Sequence, residues 1–191
     1  TAASHDRVMI LEVMGRDAGH IALASGVAGG ADIILIPEIA YEINAIAGKI
    51  TRLRQGGRNF ALVVVAEGVP TETGAAVTVD QPSGRPTYGG IGAYLARRIS
   101  ETTGAETRVT VLGHLQRGAP PSPRDRLIAT AFGARAVELI AEGSFDRMVA
   151  WQQREVVDVP LAESLKEYRA VDTGGFLVRT ARCLGICLGD D

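Results

Sequence analysis

Four runs of nearly continuous Val, Ile and Leu punctuate the first two-thirds of the chain: Val8–Val13, Ile33–Ile36, Phe60–Ala66 and Val109–Leu112. A strand with one solvated face alternates apolar and polar residues. Runs without that alternation predict strands covered on both faces, as in a parallel sheet. Stretches with helical spacing lie between them. His20–Val27 is rich in small residues and closes on Gly29-Gly30, and Ile43–Arg54 stops at Gly56-Gly57. Ile91–Ile99 and Arg126–Ile140 follow, the second with Asp125 as its cap and an end near Gly143. The segment Val69–Pro86 has turn chemistry and little periodicity, which predicts a long surface loop. The expected fold class is α/β, a three-layer sandwich around a mostly parallel sheet with a C-terminal appendage.

The appendage begins where the pattern changes. After Gly143, Met148–Trp151 and Val156–Val159 read as two short strands, and Pro160 opens a helical piece with Leu161 and Leu165 four apart. Two more apolar patches, broken by Gly174-Gly175, fill Val171–Leu188. The expected division is residues 1–143 as an α/β domain and residues 144–191 as C-terminal strands and helices. Cys183 and Cys187, four apart, are expected to share a helix face as small apolar groups, which suits a reducing compartment.

Composition narrows the classes of function. The chain has 191 residues, 46% of them hydrophobic and 22% charged, enough for a substantial core. Twenty Lys and Arg against 22 Asp and Glu give a formal charge of -2, so neither nucleic acid nor a membrane surface is an expected partner. No apolar stretch reaches the roughly 18 residues of a membrane span, and the expectation is a cytoplasmic protein. Glycine is in excess, 23 residues scattered between apolar runs, which marks tight turns at element ends.

The candidate chemistry lies where the runs end. In an open parallel sheet, ligands bind beyond the carboxyl ends of the strands. The first run delivers Met14-Gly15-Arg16-Asp17, the second Pro37-Glu38, the third Glu67-Gly68 and the fourth Gly113-His114-Leu115-Gln116-Arg117-Gly118. Arg16 and Arg117 with His114 suit a phosphate, because the guanidinium fork matches phosphate oxygens. Glu67 suits sugar hydroxyls, which donate to a carboxylate, whereas Glu38 reads as structural. A phosphosugar satisfies both halves. Neither GxxxxGK[ST] nor a strand-linked GxGxxG occurs, so no nucleotide-binding residues are assigned, and no metal ligands either. Arg7 and Arg108 stand at the other ends of their strands, roughly 20 Å away at ~3.3 Å per residue. By spacing alone they are solvated surface residues, or arginines lent to a partner's site across a two-fold axis.

These motifs resemble the second half of the 6-phosphofructokinase family. The resemblance is carried by Ser4-His5-Asp6-Arg7, Glu12-Val13-Met14-Gly15-Arg16, Ala28-Gly29-Gly30-Ala31, Ile36-Pro37-Glu38 and Val65-Ala66-Glu67-Gly68. Glu106-Thr107-Arg108, Leu112-Gly113-His114-Leu115-Gln116-Arg117-Gly118, Ser122-Pro123 and Asp125-Arg126 continue it through residue 143. It implies that Met14, Gly15 and Arg16 surround fructose 6-phosphate, with Arg16 also catalytic through the transferring phosphoryl group. Glu67 would hold the sugar hydroxyls, His114 and Arg117 the sugar phosphate, and Arg7 and Arg108 would cross a subunit interface in a homodimer or homotetramer. Asp32 stands at the place of an acidic residue that belongs to the effector site in bacterial ATP-dependent members.

The resemblance also implies Mg²⁺ and a phosphoryl donor, ATP or pyrophosphate. The tail around Gly174-Gly175 and Leu184-Gly185-Ile186 looks closer to members that use either. The family's Thr-Ile-Asp-Asn-Asp and Gly-Gly-Asp segments do not occur in these 191 residues. The expectation is therefore the C-terminal portion of a phosphofructokinase whose N-terminal portion is absent, silent alone, against which residues 144–191 would pack. Pyrophosphate-dependent transfer and a non-catalytic sugar-phosphate-binding or regulatory subunit are the alternatives.

Overall fold

In the computed structural model, which describes residues 2–79, 87–166 and 169–190 (Val79 and Thr87 by backbone alone), the four apolar runs lie side by side in one parallel sheet. In chain order the elements are β1 (Val8–Val13), α1 (His20–Ala28), β2 (Ile33–Leu35), α2 (Ile43–Gln55) and β3 (Ala61–Ala66). A two-residue pair follows, β4 (Thr78–Val79) and β5 (Thr87–Tyr88), then α3 (Ile91–Thr103), β6 (Thr107–Val111) and a 3₁₀ turn over Gly113–Arg117. The remainder is α4 (Pro123–Ala141), β7 (Arg147–Gln152), β8 (Glu155–Pro160), α5 (Leu161–Ser164) and α6 (Phe176–Cys183). The sheet order is β2-β3-β1-β6.

Every pairing in that sheet is parallel, so each strand returns through a helix and each helix starts where a strand ends. Gly26 of α1 lies against Ile34, on the face that also carries Val64 and Leu11 by register. Gly92 of α3 lies against Glu12 and Val109 on the other face, with α2 beside α3. The three-layer α/β expectation is met. Ile33, Ile34, Leu35, Ile36, Val63 and Val65 are almost fully buried, which is why these runs show no alternation. Part of the α1 face stays open as an apolar hollow of about 480 Å³, lined by Met9, Leu11, Phe60, Leu62 and Val64 among others.

Two compact units make up the chain. The first is residues 1–117 with 170–191, and the second is residues 118–169. The expected boundary at 143/144 falls inside the second unit, because α4 packs on the antiparallel hairpin of β7 and β8. Arg135 of α4 donates to Asp158 of β8 at 2.8 Å, and Arg147 of β7 pairs with the same carboxylate. Both arginines hold the Asp158 carboxyl below its usual range, the Arg135 contact foremost. The tail returns to the first unit. Ile33 forms a parallel bridge to Cys187, and α6 packs against α1.

Local chemistry moves several limits away from the expected ones. Strand β6 starts at Thr107, so Arg108 sits inside it, opposite Met9, and not ahead of it. Helix α4 starts at Pro123, with Ser122 as its cap and Asp125 in the reciprocal N3 position of a capping box, because proline at the first turn needs no N–H partner. Cys183 ends α6 and is exposed, while Cys187 lies beyond Gly185 and is buried, so the two share no helix face. The Val69–Pro86 segment contributes β4, and its residues 80–86 lie outside the described residues. Among the described residues no helix is long and apolar enough to cross a membrane.

One polar contact organises this core. Glu12, 1% exposed near the carboxyl end of β1, accepts the N–H groups of Gly90 at 3.0 Å and Gly92 at 2.8 Å. It caps α3, whose own N-cap residue is a glycine without a side chain to do so. Glu12→Gln keeps the shape but replaces one acceptor by a donor that faces an N–H. The expected loss is about 1.5–3 kcal/mol, the worth of hydrogen bonds to a charged group, read as a lower urea midpoint with an unchanged slope.

Candidate functional site at the carboxyl edge of the sheet

Three loops meet beyond the carboxyl ends of β1, β3 and β6. The loop after β1 carries Met14, Gly15 and Arg16, and the loop after β3 lies directly on it. Glu67 donates its N–H to the Val13 carbonyl, and Gly68 donates to the Gly15 carbonyl, both at 2.9 Å. A Cβ on Gly68 would fall 1.8 Å from the Arg16 carbonyl oxygen, so only glycine lets the two backbones approach this closely. At Gly15 an added Cβ would meet the Ala18 carbonyl at 2.9 Å and the Ala66 side chain at 3.1 Å. The Glu67 carboxylate reaches back to accept the Gly15 N–H at 3.4 Å through one oxygen.

The loop after β6 closes the group. Residues Gly113–Arg117 wind into a 3₁₀ turn, in which positions three apart stack on one side, so His114 and Arg117 share a side. Arg117 extends to the first loop, where its Nε lies 3.5 Å from the Met14 sulfur. Arg16 is two residues along the same loop, its side chain 69% exposed, with Asp17 at 3.9 Å and the Tyr88 ring centroid 5.1 Å from its guanidinium carbon. The structure thus gathers Met14, Gly15, Arg16, Glu67, His114 and Arg117 at one edge. A carboxylate and two guanidinium groups on neighbouring loops can hold hydroxyls and a phosphate together.

Arg7 and Arg108 are elsewhere. They stand together at the opposite edge, where Glu106 bridges them at 2.9 Å and 2.5 Å. The Arg7 hydrogen bond, with the Arg108 charge behind it, holds the Glu106 carboxyl below its ordinary value. Six residues of β1 separate this pair from the loop of Arg16, roughly 20 Å of strand. Asp32 is spent within the fold: each of its oxygens accepts from Arg58 at 2.8 Å, and one also accepts the Leu62 N–H at 2.8 Å. Its carboxylate has little left for an effector.

Sequence reasoning overlooked two residues that shape the edge, Glu12 and Glu72. Glu12 anchors α3 from the end of β1, and an acid within an otherwise apolar strand is a signal that it has partners. Glu72 latches the loop after β3. It accepts from Tyr94 at 3.1 Å and from Arg98 at 2.9 Å, and the Arg98 bond foremost keeps its carboxyl below the ordinary value. Glu38, read as structural, accepts the N–H groups of Gly19 and Val171 and joins the start of α1 to the returning tail.

Comparison with known proteins places this arrangement. The profile of the family described as Phosphofructokinase matches residues 1–140. The ATP-dependent 6-phosphofructokinase 1 of Synechocystis is 60% identical over 191 residues, which is all of this chain and 53% of that protein. The phosphofructokinase of Saccharomyces cerevisiae superposes with a TM-score of 0.71 at 31% identity, over 86% of this chain and 21% of that one. A pyrophosphate-dependent phosphofructokinase from Marinobacter aquaeolei gives 0.70 at 25% identity, over 97% of this chain and 45% of that one. The chain spans about half the length of the curated relatives it matches. With that match across its strands, helices and loop motifs, the chain belongs to the phosphofructokinase family.

Proposed function

We propose that the protein to which this chain belongs transfers the terminal phosphoryl group of ATP to the 1-hydroxyl of fructose 6-phosphate, a cytoplasmic step of glycolysis. The observation that carries this reading is the meeting, at one edge of the sheet, of the Met14–Arg16 loop with Arg117, which reaches Met14, and with Glu67, which accepts the Gly15 N–H. Arg117 and His114 take the sugar phosphate, Glu67 accepts from the sugar hydroxyls, and Met14 and Gly15 form the floor. Arg16 offsets charge on the group in transit, whose bond to the donor's bridging oxygen breaks as the bond to the sugar oxygen forms. Support for ATP over pyrophosphate is the 60% identity to a relative named as ATP-dependent, against 25% for the pyrophosphate-dependent structure.

The remaining machinery belongs to the rest of the protein. Among the described residues no three His, Cys, Asp or Glu side chains gather as a metal cage. The base that accepts the hydroxyl proton and the donor pocket are assigned to the other half, so this chain alone is inactive. Exposed Phe145, Met148 and Trp151 on the second unit support its packing, and that of the C-terminal region, against that half. Arg7 and Arg108 serve the pocket of a neighbouring copy in a homodimer or homotetramer, since one strand's length keeps them from their own.

Activity of the full-length protein tests the reading. It phosphorylates fructose 6-phosphate with ATP and Mg²⁺; turnover with pyrophosphate alone would reverse the donor, and binding without turnover would leave a sugar-phosphate receptor. Arg117→Ala removes a charge-assisted contact of about 2 kcal/mol, so kcat/KM for fructose 6-phosphate is expected to fall about 30-fold. Arg108→Ala lowers activity similarly. Mixing it with Arg16→Ala restores part of the activity, because some hybrid oligomers carry one intact site; purified hybrids assayed beside each parent variant measure this.

A further inference from the structure

We propose that Tyr88 is a positioning residue for Arg16, a flat platform that holds the guanidinium over the site while leaving its hydrogen-bonding edge free. The inference rests on the role given to Arg16 above. Three arginines of the described chain lie over aromatic rings, and they differ in what else they touch. Arg58 lies 4.2 Å from the Phe60 centroid but forks onto both oxygens of Asp32, so its donors are engaged. Arg97 lies 5.8 Å from the centroid of Tyr94, three residues away on the same helix. Arg16 lies 5.1 Å from the Tyr88 centroid, and among the described residues the carboxylate paired with it is Asp17, at 3.9 Å from Nε.

The choice of an aromatic platform has a chemical consequence. A carboxylate that held Arg16 would occupy the same N–H fork that a phosphoryl group needs, and would have to be displaced. A ring is attracted to the guanidinium face and leaves the five edge donors outward. Arginine also carries about 2 kcal/mol of rotamer entropy, and the platform restricts that freedom before the phosphoryl group arrives. Such preorganisation favours the transition state over the bound substrate.

The platform itself is fixed from both sides. Tyr88 pairs across the short hairpin with Thr78, and Gly89 donates to the Val77 carbonyl at 3.3 Å. Two residues on, the Gly90 N–H is held by the buried Glu12 carboxylate at 3.0 Å. The hairpin's other strand continues from the loop that Glu72 latches to Tyr94 and Arg98. Beneath Arg16, Gly68 packs on its carbonyl oxygen. Ring and backbone are thus both set, and the arginine side chain spans the gap between them.

The test uses the full-length protein with steady-state kinetics in ATP and fructose 6-phosphate. Tyr88→Leu is expected to lower kcat by about two- to fivefold, the range of a cation–π contact at an exposed site, with the fructose 6-phosphate KM changed less than about 1.5-fold. Tyr88→Val, whose β-branched side chain suits the strand, behaves alike. Tyr88→Phe keeps the ring and recovers most of the lost kcat. In an Arg16→Ala background, Tyr88→Leu adds less than about twofold, since the platform then holds nothing. NMR supplies a readout apart from turnover: the upfield ring-current shift of the Arg16 side-chain protons disappears in Tyr88→Leu and persists in Tyr88→Phe. Equal losses with and without Arg16, or an unshifted Arg16 in the parent protein, would overturn the platform. Full activity in Arg16→Ala itself would overturn the role of Arg16 instead, with the ring-current shift unaffected.

Discussion

Three helices of the larger unit begin at the edge where the parallel strands end, and none is capped by a side chain of its own N-cap residue. Unpaired N–H groups and partial positive charges therefore accumulate at one edge. Glutamates from neighbouring segments satisfy them: Glu12 at α3, Glu38 ahead of α1 and Glu72 at Ile43 of α2. Glu67 does the same for Gly15. This arrangement stitches consecutive loops together and fixes their heights above the sheet. It also offsets the helix-end charge, so an incoming phosphate meets side chains in place of a bare helix terminus. The positive charge must then come from arginine, which is what the loops after β1 and β6 supply.

Most of the frame is visible in the order of residues, because burial on both faces leaves an unbroken apolar run and glycine marks each helix end. Val8–Val13 and the helix from Ile43 are read with limits close to those observed. The site's membership is legible for the same reason: polar residues directly after such runs can only emerge at one edge. What escapes is long-range pairing. Nothing near Glu12 in sequence announces that its partners lie 78 and 80 residues away. Glu72 sits in a segment whose composition signals only turns and Tyr88 lies two residues beyond it, and their roles come from contacts distant in sequence. Asp32 shows the converse, a residue assigned by position whose charge the local structure already uses.

Strand length explains why the arginines divide into two groups. Arg7 and Arg108 are linked through Glu106 at one edge, whereas Arg16 and Arg117 flank Met14 at the other. The sheet between them is rigid, since its central strands are paired on both sides and almost wholly buried. No side-chain rotation covers the roughly 20 Å of a six-residue strand. On the reading proposed above, four arginines on one phosphosugar require two copies of the chain. Glu106 fits that proposal, because it keeps two like charges side by side. A single carboxylate between two guanidinium groups leaves one positive charge unmatched, at the edge where α1, α2 and α3 end.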